Sequence, residues 1–460
     1  MHPWIEKTYY RCPVFLQNIA TSTYGYYLHK TRYGGDSQAT FDKLMEAQWY
    51  SSAEIKEYQR SKLKEIIHNA YRNVPYYADL LNSLKLSPGD INDINDLSKI
   101  SFLEKESIRR YSGRLINRNI KGKVLKLYTS GTSGSPLEIQ CDLEGRRYHY
   151  LFLRRFRAWF GVELGMCRAS FFGRIVLPPS QKKPPFWRYD IAENNYIFSS
   201  YHMSEKNLRF YCDKLQEIGP VEICGYPSSL HTISKYMKDN NIRNITPSFI
   251  MTTAETLMDH QRDIIEESLN CKVRDQYGCT EMAIFVSQCE SGTYHVNPEY
   301  GLIEVVDSEG NVVEDGEEGE VVCTSFINKV MPLIRYRLGD SIKLGKTSCS
   351  CGRSFQVVEM INGRIDDILL TPDGKPLGRM DPIFKGGKGI REAQIIQTSS
   401  DSLQFNIVKD AFFNEEYERS LLYEIKKRTG DSMKIKLNFV NEIPRGKAGK
   451  FRTVISAIEQ

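Results

Sequence analysis

Between Tyr128 and Gln140 the chain reads YTSGTSGSPLEIQ, a stretch dense in hydroxyls and glycines. After the strand-like VLKLY, alternating Ser, Thr and Gly lets successive backbone N–H groups turn toward one anion. The hydroxyls of Thr129, Ser130, Thr132 and Ser133 add donors beside Gly131 and Gly134. This is phosphate-binding chemistry without its usual cation: Leu137 follows Pro136, so the loop fails the GxxxxGK[ST] pattern of P-loop nucleotide hydrolases. Taken alone, such a turn also suits a flexible surface loop. A second constellation, Cys289-x5-His295 followed by Cys349-x-Cys351 within CSCGR, supplies four soft or borderline ligands. Their count and types match a tetrahedral Cys3His zinc site. With all four positions filled by protein, the expected zinc is structural. Cys224, Cys271, Cys279 and Cys323 fall in strand-like or motif segments and read as buried cysteines.

These residues must be positioned by ordered elements. Between Leu125 and Phe285, short β-branched or aromatic runs (VLKLYTS, CRASFF, VEICGY, FIMTTAE, KVRDQYG) alternate with helical patterns such as HQRDIIEESL, which predicts an α/β core of parallel strands with crossover helices. From Leu302 to Arg335 the pattern shifts to strands joined by acidic, glycine-containing turns, predicting antiparallel hairpins or a small barrel-like subdomain at about 286–360. After NGRIDDILLTPDGK the chain changes again, to an α+β unit of about 90 residues. The boundary is placed near Asp366, giving domains 1–365 and 366–460. Upstream, SSAEIKEYQRSKLKEIIHNAYRN carries a helical apolar period, a Ser51–Glu54 capping box and a stop at Asn73-Val74-Pro75. The first fifty residues, rich in tyrosine (Tyr9, Tyr10, Tyr24, Tyr26, Tyr27), leave a lid, an interface and plain packing all open.

At 460 residues the chain exceeds one ordinary core and predicts two or three units. Its net charge of +5, from 62 basic and 57 acidic residues without charged blocks, gives no reason to expect nucleic acid. No apolar run reaches the roughly 18 residues of a membrane span, and the start lacks a signal-peptide pattern, so a cytoplasmic protein is expected. Eleven scattered cysteines fit a reducing compartment.

Downstream of the loop stand DQYGCTEMAIF, PLIRYRLGD, NGRIDD and PRGKAGKFR. In this order, the set resembles the adenylate-forming superfamily of acyl-CoA synthetases, luciferases and peptide-synthetase adenylation domains, from roughly Tyr71 to Arg452. The resemblance implies a large N-terminal α/β domain and a small mobile C-terminal α+β domain. It implies that the loop clasps the β- and γ-phosphates of ATP, and that Ala254, Glu255 and Tyr277, with Gly278, pack the adenine. Thr280 and Glu281 match positions that meet the α-phosphate and Mg²⁺, Asp340 the aspartate on the ribose hydroxyls, and Arg364 an arginine near the nucleotide. Asp366 matches the hinge. Lys450 matches the lysine that reaches the α-phosphate and the substrate carboxylate, so the missing cation would arrive from the second domain and stabilise the transition state by a few kcal/mol, an order-of-magnitude figure. Read singly, Lys450 is a solvated lysine, Asp340 a turn residue and Glu281 a helix-start acid.

The Cys…His…CxCG pattern resembles the phenylacetate-CoA ligase-like branch. The stretch DGKPLGRMDPIFKGGKGIREAQIIQ departs from those ligases and looks like their relatives in capsular or surface polysaccharide biosynthesis. So does GRIVLPPSQKKPPFWRYD, where Arg174, Trp187 and Arg188 are expected near an acyl pocket for a polar or anionic acid, against a plain proline-rich loop. The expected activity is ATP- and Mg²⁺-dependent adenylation of a carboxylic acid and transfer of the acyl group to a nucleophile, coenzyme A first. The alternatives are an amide ligase acting on a carboxylated sugar or amino acid, and a non-catalytic nucleotide-binding subunit. Oligomeric state stays open, a homodimer included.

Overall fold

The computed structural model describes residues 8–129, 137–178, 181–364, 369, 372, 389–429, 432–445 and 451–457. Helices α1 (Val14–Tyr33), α2 (Ser37–Ala47), α3 (Ser52–Asn73), α4 (Pro75–Ser83) and α5 (Lys105–Arg110) precede the first strands. The Ser51 capping box closes α3: Ser51 N–H donates to Glu54 Oε2 at 2.8 Å and Glu54 N–H donates to Ser51 Oγ at 3.3 Å. Val74 ends α3 and Pro75 starts α4 at its first position, where a missing N–H costs nothing. The buried face of α3 (Leu63, Ile66, Ile67, Ala70) packs with Ile284, Val286 and Leu333 into one apolar core. Each fully buried aliphatic side chain there contributes about 1.5–3 kcal/mol.

Strands β1 (Val124–Tyr128) and β2 (Glu138–Asp142) pair antiparallel in a separate two-stranded ribbon. This corrects the expectation that VLKLY belongs to the parallel sheet. Its residues are exposed or half-buried throughout, whereas a parallel strand must be covered on both faces. Helix α6 (Leu143–Ala158) follows, with Asp142 Oδ1 accepting from Gly145 N–H at its start.

The main sheet has twelve strands. Its parallel part runs through β3 (Arg168–Phe171), β6 (Glu222–Gly225), β7 (Phe249–Thr253) and β8 (Val273–Gly278), with β5 (Asn195–Phe198) beside β3 and β4 (Trp187–Asp190) at the edge. All four residues of both β3 and β6 are buried. Helices α7 (Glu205–Ile218), α8 (Pro227–Asp239) and α9 (Asp259–Leu269) supply the crossovers. The antiparallel strands β9 (Phe285–Gln288), β10 (Tyr294–Val296), β11 (Gly301–Val306), β12 (Glu318–Ser325), β13 (Tyr336–Leu344) and β14 (Val357–Arg364) extend the same hydrogen-bonded ladder beyond β8. The segment read as hairpins or a barrel is therefore continuous with the core sheet.

A second sheet of four strands, β17 (Lys434–Phe439), β16 (Ser402–Lys409), β15 (Ile390–Ser399) and β18 (Val454–Ser456), packs with α10 (Glu415–Thr429) around its own apolar cluster. It meets the core at α8, where Lys235 Nζ lies 3.1 Å from Asp410 Oδ2.

The N-terminal helix α1 lies against the edge strand. A Cβ at Gly25 would come within 2.1 Å of the Asp190 carboxylate, so only glycine permits this approach. Buried charges fix the layer beneath: Glu222 accepts from Arg157 Nε at 2.8 Å and from Arg168 Nε at 2.7 Å, while Glu193 meets His29 of α1 at 2.8 Å. Although burial opposes its charge, the two guanidinium groups hold the Glu222 carboxyl below its ordinary pKa. Removing either arginine would leave a buried charge short of a partner.

Candidate active site and metal centre

Open α/β sheets bind ligands beyond the carboxyl ends of their parallel strands. Here Arg174 follows β3, Tyr226 follows β6, Ala254 and Glu255 follow β7, and Thr280 and Glu281 follow β8. Ala254 has φ +69° and Met282 φ +57°, left-handed conformations that cost a non-glycine residue on the order of 1 kcal/mol each. The strain sits in the two turns that bracket the expected nucleotide site.

Tyr277 OH donates to Asp340 Oδ2 at 2.7 Å, joining residues 63 positions apart. Burial first, and then the Asp340 charge, push the Tyr277 phenol far above its ordinary pKa, so it stays a donor. Asp340 stands opposite Arg364 in the β13–β14 register. Gln276 is fixed by Thr253, whose Oγ1 donates to Gln276 Oε1 at 2.6 Å. Glu281 is buried and accepts from Tyr336 OH at 3.1 Å, while Gly278 and Thr280 are exposed. The fold thus gathers Ala254, Tyr277, Glu281 and Asp340 at one end of the sheet.

Glu255 has a different setting. Its Oε2 accepts from Ser228 N–H, in the first turn of α8, at 3.1 Å, and its Oε1 accepts from the Phe451 N–H at 2.5 Å. The positive end of the α8 dipole favours a carboxylate there. Burial nevertheless pushes its carboxyl above the ordinary range. This side chain therefore bridges the core and the second sheet.

Thr129 and Leu137 pin the ends of the hydroxyl-rich loop: Thr129 N–H donates to Leu137 O at 3.0 Å and Leu137 N–H to Thr129 Oγ1 at 2.9 Å. Ser130, Gly131, Thr132, Ser133, Gly134, the hinge candidate Asp366 and Lys450 lie outside the described residues, as does the side chain of Arg364.

Two expected substrate residues serve packing instead. Arg188 is 1% exposed, and its guanidinium donates to Gln17 Oε1, Pro185 O and Trp187 O. With Gln181, four of its five donors are taken by fixed neighbours, and its burial keeps the group away from an acid in solution. Trp187 packs on Phe198 with ring centroids 5.5 Å apart. Arg174 alone of the three is exposed. Around it stand Arg32, Arg146 and Tyr150, which sequence reasoning did not single out. The arginines come from α1 and α6, too far apart in sequence to form a motif.

The four metal candidates converge. The ligand atoms of Cys289, His295, Cys349 and Cys351 lie within 4.8 Å of one another. Cys289 Sγ and Cys349 Sγ are 3.6 Å apart, and Cys351 Sγ lies 3.5 Å from His295 Nε2. A tetrahedral zinc with its usual bond lengths has edges of about 3.7 Å between sulfurs and about 3.5 Å from sulfur to nitrogen. His295 Nδ1 lies 3.3 Å from Phe355 O, a contact that turns Nε2 toward the cluster. The residues therefore fit zinc. Cys289 and His295 belong to the β9–β10 hairpin, Cys349 and Cys351 to the β13–β14 connection, so the cluster clips two hairpins together.

The full length of the chain has a curated counterpart. Protein CapK of Staphylococcus aureus is 30% identical over 462 residues, covering 99% of this chain and 100% of that protein. The chain belongs to the CapK family. The model of the CapK C-terminal domain matches residues 369–457. A phenylacetate-coenzyme A ligase of Thermus thermophilus is 22% identical over 438 residues, covering 87% of this chain and 96% of the ligase. Among solved structures, 2-hydroxyisobutyryl-CoA ligase in its postadenylation state, complexed with R3-HIB-AMP, gives a TM-score of 0.71 at 16% identity over 89% of this chain and 90% of that one. The same ligase in the thioesterification state gives 0.55. The chain thus shares the fold of these CoA ligases, with the α/β core and C-terminal α+β unit that the sequence predicts. Among the described residues no helix is long and apolar enough to cross a membrane.

Proposed function

We propose that this protein joins a carboxylic acid to ATP, giving an acyl-adenylate and pyrophosphate, and then passes the acyl group to the thiol of coenzyme A. In the first step a carboxylate oxygen bonds to the α-phosphorus and the bond to pyrophosphate breaks. In the second the thiol sulfur bonds to the acyl carbon and AMP leaves. Asp340, oriented by Tyr277, takes the ribose hydroxyls, and the surface beside Ala254 takes the adenine. Residues 129–134 clasp the outer phosphates, with Arg364 near the nucleotide. Glu281 and Thr280 would hold Mg²⁺, whose charge offsets that of the phosphates. Lys450 brings its cation to the α-phosphate, and zinc on the four-ligand cluster is structural.

The observation that carries the reading is the Tyr277–Asp340 hydrogen bond at the carboxyl end of the parallel strands, in a chain that aligns over 87% of its length with a phenylacetate-coenzyme A ligase. The Phe451 N–H on Glu255 adds to it, since Phe451 directly follows Lys450. The better fit to a postadenylation structure than to a thioesterification one supports reading this docking as the adenylate-forming placement. It also supports Asp366, at a 365/366 boundary, as the hinge of a later swing. A second reading has its own support: the C-terminal unit matches the CapK model, which favours another acceptor, an amine or amino acid joined to a carboxylated sugar in surface-polysaccharide assembly.

ATP–pyrophosphate exchange over arylacetates, fatty acids, amino acids and uronates tests both. Exchange with at least one acid is expected, abolished by Lys450→Ala with the fold retained by circular dichroism. Undiminished exchange in that variant would remove Lys450 from the reaction. Release of AMP that depends on coenzyme A separates the first acceptor from the second.

A further inference from the structure

Three guanidinium groups surround one phenol beside the carboxyl ends of the strands. Arg32 of α1 places Cζ 4.2 Å from the Tyr150 ring centroid, and Arg146 of α6 places its Cζ at 4.8 Å and donates to Tyr150 OH at 3.1 Å. Arg174, beyond β3, adds its field at the same phenol. Although burial alone would push the Tyr150 phenol up, Arg146, Arg32 and Arg174 together bring it below its ordinary pKa. Among the described residues, no carboxylate lies within 4 Å of any of the three guanidinium groups. Asp190, whose carboxyl registers Arg174 only after burial, two backbone N–H groups and Glu193, is engaged locally, its Oδ1 accepting from Ala192 N–H at 3.0 Å.

Three buried arginines elsewhere in this protein are matched by acids, Arg155 with Glu299 at 2.6 Å, Arg157 with Glu222 at 2.8 Å and Arg335 with Glu304 at 3.0 Å, and a fourth, Arg188, by neutral oxygens that take most of its donors. Arg174 is exposed to solvent, yet desolvation is the first cause lowering its pKa. The cluster adjoins the reaction site: Arg174 N–H donates to the carbonyl of Phe172, a residue whose ring meets Tyr226 beyond β6 at 5.4 Å, and His149, next to Tyr150, lies 2.8 Å from the hydroxyl of Tyr300, which packs with Met282 beside Glu281.

We propose that the acid activated by this enzyme carries, besides the carboxyl that is adenylated, a second oxyanion group, phosphoryl or carboxyl, held by Arg32, Arg146 and Arg174. This rests on the adenylating reading above and names its substrate class. Guanidinium forks suit such oxygens bidentately, and a phosphoryl dianion offsets more of the clustered charge than one carboxylate does. The arrangement also gives the N-terminal helix a task, since α1 carries Arg32 to the face of Tyr150.

The test uses two matched pairs of acids, 3-phosphoglycerate against glycerate and glutarate against butyrate, with binding measured by calorimetry at constant ionic strength. The anionic member is expected to bind at least tenfold tighter in the wild type. That preference is lost in the double variant Arg146→Met, Arg174→Met and restored in part by Arg146→Lys, Arg174→Lys, with the affinity for ATP unchanged throughout. Whichever pair shows the preference tells phosphoryl from carboxyl. Equal binding within both pairs, or a preference surviving in the methionine variant, overturns the proposal. A loss of ATP affinity alongside would assign the arginines to the nucleotide and overturn it equally. If the preference holds while no acid supports pyrophosphate exchange, the oxyanion site stands and the adenylating reading falls.

Discussion

The Tyr277–Asp340 pair shows how much one hydroxyl decides. Asp340 can present its carboxylate to a diol only if its rotamer is fixed, and the 2.7 Å bond from Tyr277 fixes it. A hydrogen bond to a charged group contributes about 1.5–3 kcal/mol. Tyr277→Phe is therefore expected to raise KM for ATP about tenfold or more, with KM for the acid little changed. A rise confined to the acid would move Tyr277 away from the nucleotide. Both residues were singled out through the resemblance of the motifs that hold them, since Asp340 read alone is a turn residue. Arg32, Arg146 and Tyr150 were not: their meeting depends on how α1 and α6 dock, which no short pattern encodes. Arg188 misled for the converse reason. Its guanidinium looks functional in a string of letters, while in the fold its donors are spent on Gln17, Pro185 and Trp187.

Elements follow the same division. The α3 cap and stop were readable from Ser51, Glu54 and Pro75, since capping depends on neighbours within one turn. The parallel strands β6 to β8 were readable from their apolar runs. The β1–β2 ribbon was misassigned because VLKLY has the composition of a buried strand and only its half-exposed setting shows otherwise. The zinc cluster was legible in its ligands, but its mechanical role appears only in the fold, where it joins the β9–β10 hairpin to the β13–β14 connection. Cys351→Ser, or extraction of the metal by a strong chelator, is expected to lower Tm by several degrees and to admit protease between β13 and β14, because metal binding is coupled to folding of its clip. Freshly purified protein is expected to contain one zinc per chain, checked by elemental analysis. An unchanged Tm in zinc-free protein would leave the clip held by packing alone.

At the scale of the whole molecule, stability depends on histidines kept neutral. Burial pushes His149 and His231 down to about 3 from an ordinary 6.5. Because the unfolded chain takes up these protons first, their contribution is fully present above pH 6.5 and is lost as pH falls from there toward 3. By pH 5 the two sites together cost on the order of 4 kcal/mol. Urea unfolding is expected to show that loss, and the double variant His149→Gln, His231→Gln to flatten the slope between pH 7 and 5. An identical slope in the variant would assign the acid sensitivity to other groups.

One long-range connection remains. Arg353, two residues beyond Cys351, pairs with Glu290 of the β9–β10 turn at 2.7 Å, stacks 4.0 Å from Trp159 of the α6 C-cap and 5.0 Å from Trp49, and donates to Gln48 at the end of α2. The Cys3His clip thus grips the C-terminal ends of α2 and of α6, the helix that carries Arg146. An unfilled clip would then loosen α6 and with it the Arg146 that the proposed oxyanion site uses, so a shortage of a nutrient metal would surface as a change in diet.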